Sequence, residues 1–267
     1  MKVLKNAGRY EILTTPEELQ AQLLRIEEAG RTCYQSDNPE RSIKSATRFV
    51  QMLIKRGHES VLEHSCMTVR FLDLSRGFTH EQVRHRLTAI SQESTRYVDY
   101  AKFGDENPDL DKFEIKCVVP PHRDENEGIP VPLPFTEAIY RALREAGWEQ
   151  KEPYSGNKLP VTLTPTEMFD TYEAFYRALR KTGWKPEDAR QFLPIGLKSE
   201  IVISGNFRGW RHIFVMRCSK FAHWEIRGVM VQLLERCLKL LPGVFDDFEY
   251  KGTCERGIPY WGKKEVI

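Results

Sequence analysis

The stretch THEQVRHRLTAISQESTRY, residues 79–97, holds the densest group of chemically active side chains in this sequence. Its basic residues at 84–86 are consecutive, and Val83, Leu87 and Ile90 lie around them at helical spacing. We expect a helix here, at 77–90. Successive helical residues point about 100° apart, so three in a row cannot share one exposed face. At least one basic side chain then lies beside the apolar stripe and needs an anionic partner, because an unpaired buried charge is costly.

Phosphate is a natural partner for such a cluster, since a guanidinium meets it with two parallel hydrogen bonds. Ser91, Gln92, Ser94 and Arg96 follow the predicted helix and could extend the same pocket with hydroxyl, amide and guanidinium donors. The alternative is an exposed basic helix end, whose cations are stabilised by the helix dipole. The local sequence leaves both interpretations open.

A second cluster, GNFRGWRHIFVMR at 205–217, places Arg208 and His212 four residues apart on one helical face. Arg217 comes after an apolar run, so we expect it to emerge from a packed helix into a pocket. A solvated cationic stripe is the alternative. In GHESVLEH, residues 57–64, the spacing is not that of H-E-x-x-H, and we expect no metal site there.

Hydrophobic spacing predicts the remaining elements. Thr15, Pro16 and Glu18 form the start of a capped helix that Gly30 should end. The other predicted helices are at 42–56, 206–216 and 222–241, with a short one beginning at Pro186, and the predicted strands are at 66–72 and 113–119. Because strands and helices alternate without a regular βαβ order, we predict an α+β fold, with a mixed or antiparallel central sheet flanked by helices.

The middle of the chain contains an internal repeat. EAIYRALREAGW at 137–148 and EAFYRALRKTGW at 173–184 differ at only three positions. Two copies are too few for a solenoid, which needs at least three. We therefore predict a duplicated amphipathic helix, with Tyr140 and Leu143 in one copy, and Tyr176 and Leu179 in the other, facing inward.

Composition narrows the function classes. The chain has 267 residues, a formal net charge of +2 and 40% hydrophobic residues, which is ordinary for a globular protein and unlike a chain that coats nucleic acid. No apolar run approaches the about 20 residues of a membrane-spanning helix, and no signal peptide is visible. The six cysteines form no C-x-x-C pair, so we expect reduced thiols, no zinc site and a cytoplasmic location. Glycine-rich phosphate loops are absent, so side chains must hold any nucleotide.

Arg84-His85-Arg86, followed after seven residues by Ser94, is similar to the RHR-x7-S signature of the flavin-dependent thymidylate synthases. Other segments resemble that family in the same order. They are AGRTCYQS (29–36), GHESVLEH (57–64), DARQFLP (188–194), NFRGWRH (206–212) and AHWEIR (222–227). The resemblance covers nearly all of residues 25–247 and implies one domain over 1–267, with an insertion at about 122–162 that carries the extra helix.

The resemblance implies an enzyme that methylates dUMP to dTMP with methylenetetrahydrofolate as carbon donor and NADPH-reduced FAD as hydride source. It also implies a homotetramer with sites between subunits, no membrane association and no nucleic acid partner. The residues placed at FAD are Ser60, Arg84, His85, Arg86, Gln92, Asn206, Phe207, Arg208 and His212. The residues placed at dUMP are Glu81, Gln82, Val83, Arg84, Gln92, Glu93, Ser94, Thr95, Arg96, Arg190 and Arg217.

By the same resemblance, Arg217 is the catalytic residue, because it would hydrogen-bond the uracil edge and stabilise the ring anion. None of the cysteines lies in a Pro-Cys-His context, so we assign no thiol nucleophile. Ser94 receives a substrate-binding role, and His58 a place on the route to the flavin. Ala89, Glu93 and Cys33 depart from the commoner family pattern. Two rivals remain: a nucleotide- or RNA-binding module without cofactor, and an FAD enzyme of the same fold that acts on another pyrimidine.

Overall fold

The computed structural model describes residues 2–5, 8–37, 40–101, 115–134, 158–255 and 257–264. The strands are β1 (Lys2–Lys5), β2 (Arg9–Ile12), β3 (Met67–Ser75), β4 (Ala89–Gln92), β5 (Lys116–Val119), β6 (Ile129–Pro134), β7 (Lys158–Leu163), β8 (Lys198–Gly205), β9 (Phe248–Thr253) and β10 (Pro259–Lys263). The α-helices are α1 (Pro16–Tyr34), α2 (Ile43–Lys55), α3 (Arg76–Gln82), α4 (Pro165–Lys181), α5 (Pro186–Ala189), α6 (Phe207–Arg217) and α7 (Trp224–Leu240). Short 3-10 turns cover Ser60–His64 and Arg190–Phe192.

An antiparallel sheet in the order β2-β3-β8-β4 forms the centre of the molecule. Alternation of apolar and polar residues gives it one buried face, as in β3, where Met67, Val69 and Phe71 are fully buried. Helices α1, α2, α6 and α7 contribute to the main hydrophobic core on that face. The predicted α+β fold with helices flanking an antiparallel sheet is confirmed.

A smaller group of buried residues lies apart from the main core. This satellite core consists of Tyr100, Ala101, Ile115, Tyr176, Ala189 and Leu197. It joins the chain that follows β4 to α4 and α5, and Val98, Leu179 and Leu193 pack against it. The structure therefore has two hydrophobic clusters, the main core under the central sheet and the satellite core beside α4 and α5.

Most predicted helices are confirmed. Helix α1 has the predicted capping box, in which Thr15 Oγ1 accepts from Glu18 N at 3.2 Å, but it continues past Gly30 to Tyr34. A left-handed Gln35 ends it instead, with φ 49°. The predicted short helix at Pro186 is α5. The predicted strand at 66–72 is present within β3, and the end of the one at 113–119 is β5, which pairs in parallel with β1.

The single helix predicted at 77–90 is wrong. Helix α3 ends at Gln82, a turn follows, and Ala89–Gln92 form β4 against β8. Val83 and Leu87 have exposed fractions of 40% and 90%, so the apolar stripe that would have continued the helix is not buried. Pairing with β8 gives the backbone of β4 its hydrogen bonds, and this tertiary contact overrides the local helical spacing.

The second copy of the repeat is helical, as predicted. It belongs to α4, which begins at Pro165 behind a capping box and buries Tyr176 completely, with Leu179 partly buried beside it. The first copy at 137–148, with Tyr140 and Leu143, lies outside the described residues. The flanking strands β6 and β7 pair antiparallel within the predicted insertion.

No helix in the described ranges is long and apolar enough to cross a bilayer. Among the same residues, no three histidine, cysteine or acidic side chains lie close enough together to hold a metal ion. No disulfide joins the cysteines.

Candidate active site

A cavity of about 650 Å³ lies between the turn after α3 and the beginning of α6. Sites for small molecules usually have volumes of about 300–1,000 Å³. The lining side chains are mainly basic or polar, which suits an anionic ligand. They are Glu63, Arg84, His85, Arg86, Leu87, Thr88, Asn206, Arg208, Gly209, His212 and Ile213.

The beginning of α6 is fixed by two capping contacts. Asn206 Oδ1 accepts from Gly209 N at 2.8 Å, and Ser65 Oγ accepts from Phe207 N at 2.9 Å. The helix then buries Phe207 and other apolar side chains in the main core, while Arg208 and His212, one turn apart, remain exposed. The predicted shared face of these two residues is confirmed by their common place in the cavity wall.

The arginines of the cavity differ in their partners. Arg208 Nη1 forms an ion pair with Glu63 Oε1 at 2.5 Å. Arg84 and Arg86 are exposed, and neither guanidinium forms an ion pair with the described residues. Two unpaired guanidinium groups at the mouth of a cavity are ready to bind phosphate oxygens.

Arg217, at the end of α6, reaches the cavity wall through His85. Its Nε donates to His85 Nε2 at 2.9 Å, its Nη1 to Glu81 Oε2 at 2.5 Å, and its Nη2 to Glu81 O at 2.8 Å. The side chain is only 15% exposed. The guanidinium is therefore held by Glu81, at the end of α3, and by His85, in the turn that follows; its emergence into a pocket stays a prediction.

Burial, followed by the charges of Arg217 and His212, lowers the pKa of His85 from 6.5 to about 4. His85 is therefore neutral near pH 7. Because its Nε2 accepts from Arg217, the ring proton of this neutral form is on Nδ1. The His212 ring lies edge-on to it, with centroids 6.0 Å apart.

Glu93, one of the residues placed at dUMP, is held by three different elements. Its Oε1 accepts from Tyr100 Oη at 2.5 Å, its Oε2 from Lys198 Nζ at 3.2 Å, and its backbone O from Arg76 Nη1 at 3.1 Å. Just before it, Gln92 Nε2 donates to Thr79 Oγ1 at 2.9 Å, which ties β4 to α3. A second open cavity, of about 450 Å³, lies on the exposed sheet face beside Gln92 and Glu93.

The residues after Glu93 meet α5 through two arginines. Arg96 Nε pairs with Glu187 Oε2 at 2.5 Å. Arg190 Nε donates to Glu187 O at 3.0 Å and its Nη1 to Thr95 Oγ1 at 3.2 Å. Ser94 Oγ accepts from Arg96 N at 3.2 Å, so it shapes this segment. The structure thus brings together two chain segments, distant in sequence, that the resemblance places at one substrate.

Three predicted site residues are placed less directly. Gln82 and Phe207 are completely buried. Ser60 is exposed at the start of its 3-10 turn. Sequence reasoning gave no role to Glu63, Glu187 or Thr79, which hold predicted residues. Glu63 lies within GHESVLEH and Glu187 directly precedes DARQFLP, but only the tertiary structure shows which arginine each glutamate contacts.

The residues present fit a large phosphorylated cofactor such as a flavin nucleotide. The cavity offers unpaired guanidinium groups, a helix N-terminal cap, the neutral imidazole of His85 and the ring of His212. Such a site defines a class of proteins suited to phosphorylated ligands.

Comparison with known proteins identifies the family within that class. The family model described as "Thymidylate synthase complementing protein" matches residues 17–243. The chain is 33% identical over 229 residues to the flavin-dependent thymidylate synthase of Mycobacterium avium (strain 104), with 84% of this chain and 78% of the relative covered. The corresponding protein of Mycolicibacterium gilvum (strain PYR-GCK) is 34% identical over 231 residues, with the same coverage. The chain belongs to the flavin-dependent thymidylate synthase family.

Solved structures support the fold. The UMP/dUMP methylase PolB from Streptomyces cacaoi, bound with 5-Br dUMP, matches with a TM-score of 0.56 at 19% identity, over 92% of this chain and 96% of that one. The same protein bound with 5-Br UMP gives 0.57 at 18% identity, over 92% and 95%. The α+β architecture is therefore shared over nearly the whole chain.

Proposed function

We propose that this chain is an enzyme that methylates dUMP to dTMP, with methylenetetrahydrofolate as carbon donor and FAD reduced by NADPH. The observation that carries the proposal is the cavity with unpaired Arg84 and Arg86, adjoining the His85–Arg217–Glu81 arrangement, in a member of this family. No cysteine lines that cavity. Cys218 follows Arg217 in sequence but is completely buried in the main core, so a route without a thiol nucleophile fits the site.

We assign the 650 Å³ cavity to FAD. Arg84, Arg86 and Arg208 would bind its phosphates, and the rings of His85 and His212 would lie along it. Ser60, Gln92, Asn206 and Phe207 complete the proposed contacts. When bound, reduced flavin supplies the hydride that converts the transferred methylene into methyl.

Arg217 has the hydrogen-bonding capacity that the proposed ring contact needs. A guanidinium has five N–H groups, and the three bonds to His85 and Glu81 leave two of them, one on each terminal nitrogen. A uracil edge offers neighbouring acceptors once N3 has lost its proton. Since Glu81 and His85 already hold the guanidinium in place, its charge can stabilise the developing ring anion without reorganisation.

The phosphate of dUMP is assigned to the segment Ser94–Thr95–Arg96 together with Arg190. The guanidinium of Arg190 donates to both Thr95 Oγ1 and the backbone oxygen of Glu187. It therefore links the segment after β4 to α5. Glu81, Gln82, Val83, Arg84, Gln92 and Glu93 line the proposed path from the phosphate to the ring. Arg96 pairs with Glu187 in this structure, and a bound phosphate would compete with that carboxylate for it.

We also propose that the sites lie between subunits of a homotetramer in the cytoplasm. Leu87, Tyr97 and Phe221 support this assembly, because they are 90%, 80% and 87% exposed and lie on the segments that carry the site. An interface between subunits would cover these exposed apolar side chains.

A second candidate is the same chemistry on UMP. It is favoured by one observation, the similarity in fold to a protein whose solved structures contain 5-Br dUMP and 5-Br UMP. The purified protein should be yellow, release FAD on heating, and bind dUMP more tightly than UMP in calorimetry. Tighter binding of UMP would favour the second candidate. Protein without flavin that binds RNA with a steep salt dependence would contradict both.

A further inference from the structure

The two arginines assigned to the nucleotide phosphate lie at the rim of the satellite core. Arg96 is followed by Tyr100 and Ala101, which belong to that core, and Arg190 directly follows its member Ala189. Across the rim, Arg190 bonds to Thr95 and Arg96 pairs with Glu187. The relative position of the two guanidinium groups therefore depends on how the satellite core is held together.

Helix α4 holds the segment after Arg96 through Asp99. Arg180 Nη2 donates to Asp99 Oδ2 at 2.6 Å and its Nε to Asp99 Oδ1 at 3.1 Å, which is a two-point contact. Tyr176 Oη donates to the same Oδ1 at 3.4 Å, and Ala101 N at 3.0 Å. Hydrogen bonding from Arg180 lowers the pKa of Asp99, so this carboxylate is charged at neutral pH.

The contact is partly shielded from water and is supported by packing. The side chains of Arg180 and Asp99 are 21% and 14% exposed. The Tyr176 ring is completely buried and packs edge-on against Tyr100, with centroids 6.2 Å apart. Tyr100 in turn donates to Glu93, one of the positions at which this chain departs from the commoner family pattern. A connected set of contacts thus runs from α4 to both ends of the 93–100 segment.

Because Tyr176 and Arg180 lie four residues apart, both face Asp99 from one side of α4. They belong to the repeated sequence, whose first copy has Tyr140 and Arg144 at the matching positions. Arg177 points elsewhere and pairs with Glu173, one turn earlier in the same helix, at 2.6 Å.

We propose that Tyr176 and Arg180 are positioning residues for the nucleotide phosphate: through Asp99 they hold the segment that carries Ser94, Thr95 and Arg96 against Arg190. This role rests on the proposed function. It gives the repeated helix a task in substrate binding, although α4 itself contributes no group to the substrate.

The test compares dUMP with deoxyuridine, which lacks the phosphate, by calorimetry on the flavin-loaded protein. Arg180→Lys keeps the charge but loses the two-point contact, and Asp99→Asn keeps the size but loses the charge. Each should weaken dUMP binding about tenfold, as expected for one charge-assisted contact, while deoxyuridine affinity and flavin content stay unchanged. Arg177→Lys, on the same helix, is the control and should bind both ligands as the wild type does.

Equal weakening of both ligands in Asp99→Asn and Arg180→Lys, or no weakening in either, would overturn the positioning role. If Arg180→Lys does not fold, Asp99→Asn decides the outcome, since it removes only one charge. Absence of dUMP binding to the wild-type protein would contradict the proposed function itself, so the two failures are distinguishable.

Discussion

The cavity beside His85 and the phosphate segment at 93–101 are built on different supports. The cavity lies between the turn after α3 and the beginning of α6, and α6 is anchored in the large main core and capped by Asn206. The phosphate segment lies on the small satellite core and is held largely by side-chain bonds to Glu187, Asp99 and Glu93. Changes at the first region should therefore affect chemistry at a fixed geometry, whereas changes at the second should affect substrate affinity.

The largest effect is expected at Arg217, in the first region. Arg217→Lys keeps a positive charge but cannot reproduce the bonds to His85 and Glu81 together with two N–H groups for the ring. Loss of one such preorganised donor typically lowers turnover by about 10² to 10³. Methylation should fall by that factor, while NADPH oxidation by the bound flavin should fall much less, with both rates measured in one preparation.

The assignment of Arg217 has a matched control at Arg208, which is on the same helix but belongs to the proposed flavin contacts. Arg208→Lys should weaken flavin binding and lower both half-reactions together. An Arg217→Lys protein that methylates at nearly the wild-type rate, or that loses FAD together with both half-reactions, would contradict the role given to Arg217.

A smaller effect is expected at Arg190, in the second region. Arg190→Ala removes the guanidinium that bonds to Thr95 and is assigned to the phosphate. Bonds to charged groups contribute about 1.5–3 kcal/mol each, so dUMP affinity should fall by about one to two decades while flavin stays bound. Calorimetry measures this directly. Unchanged affinity would show that the phosphate lies elsewhere.

The pH dependence of the free energy of unfolding tests the burial of His85 in the cavity region. The pKa of His85 is about 4 in the folded protein, against the ordinary histidine value of 6.5 that applies in the unfolded chain. The unfolded chain therefore binds this proton first, and stability is lost as the pH falls from about 6.5 towards 4. In urea unfolding, His85→Gln should lose less stability over this range than the wild type. His80→Gln, an exposed position on α3, is the control; identical acid dependence of all three proteins would refute the account of His85.

The smallest effect is expected from the cysteines. Cys33 and Cys66 are exposed, while Cys117, Cys218 and Cys237 are buried. Replacing the exposed pair by serine and the others singly by alanine should leave thymidylate formation intact wherever the protein folds. A folded variant with normal FAD and dUMP binding but no turnover would reveal a thiol nucleophile.

The two regions also differ in what the sequence could predict. The resemblance to the family proposes both groups of site residues, which stay predictions, and apolar periodicity correctly predicted α1, α2, α6 and α7. It failed at 77–90, because pairing of Ala89–Gln92 with β8 is a long-range contact that local spacing does not encode. The partners of the arginines were missed for the same reason, since Glu187 is 91 residues from Arg96 and Glu81 is 136 residues from Arg217.

We propose that the cavity and the segment at 93–101 act on one substrate in one reaction. This proposal is tested most directly by measuring dTMP formed by the flavin-loaded protein from dUMP, methylenetetrahydrofolate and NADPH, with each component omitted in turn. We expect dTMP when all three are present and none when dUMP or the folate is left out. A flavin-loaded protein that binds dUMP and oxidises NADPH, yet forms no dTMP in the complete mixture, would contradict it.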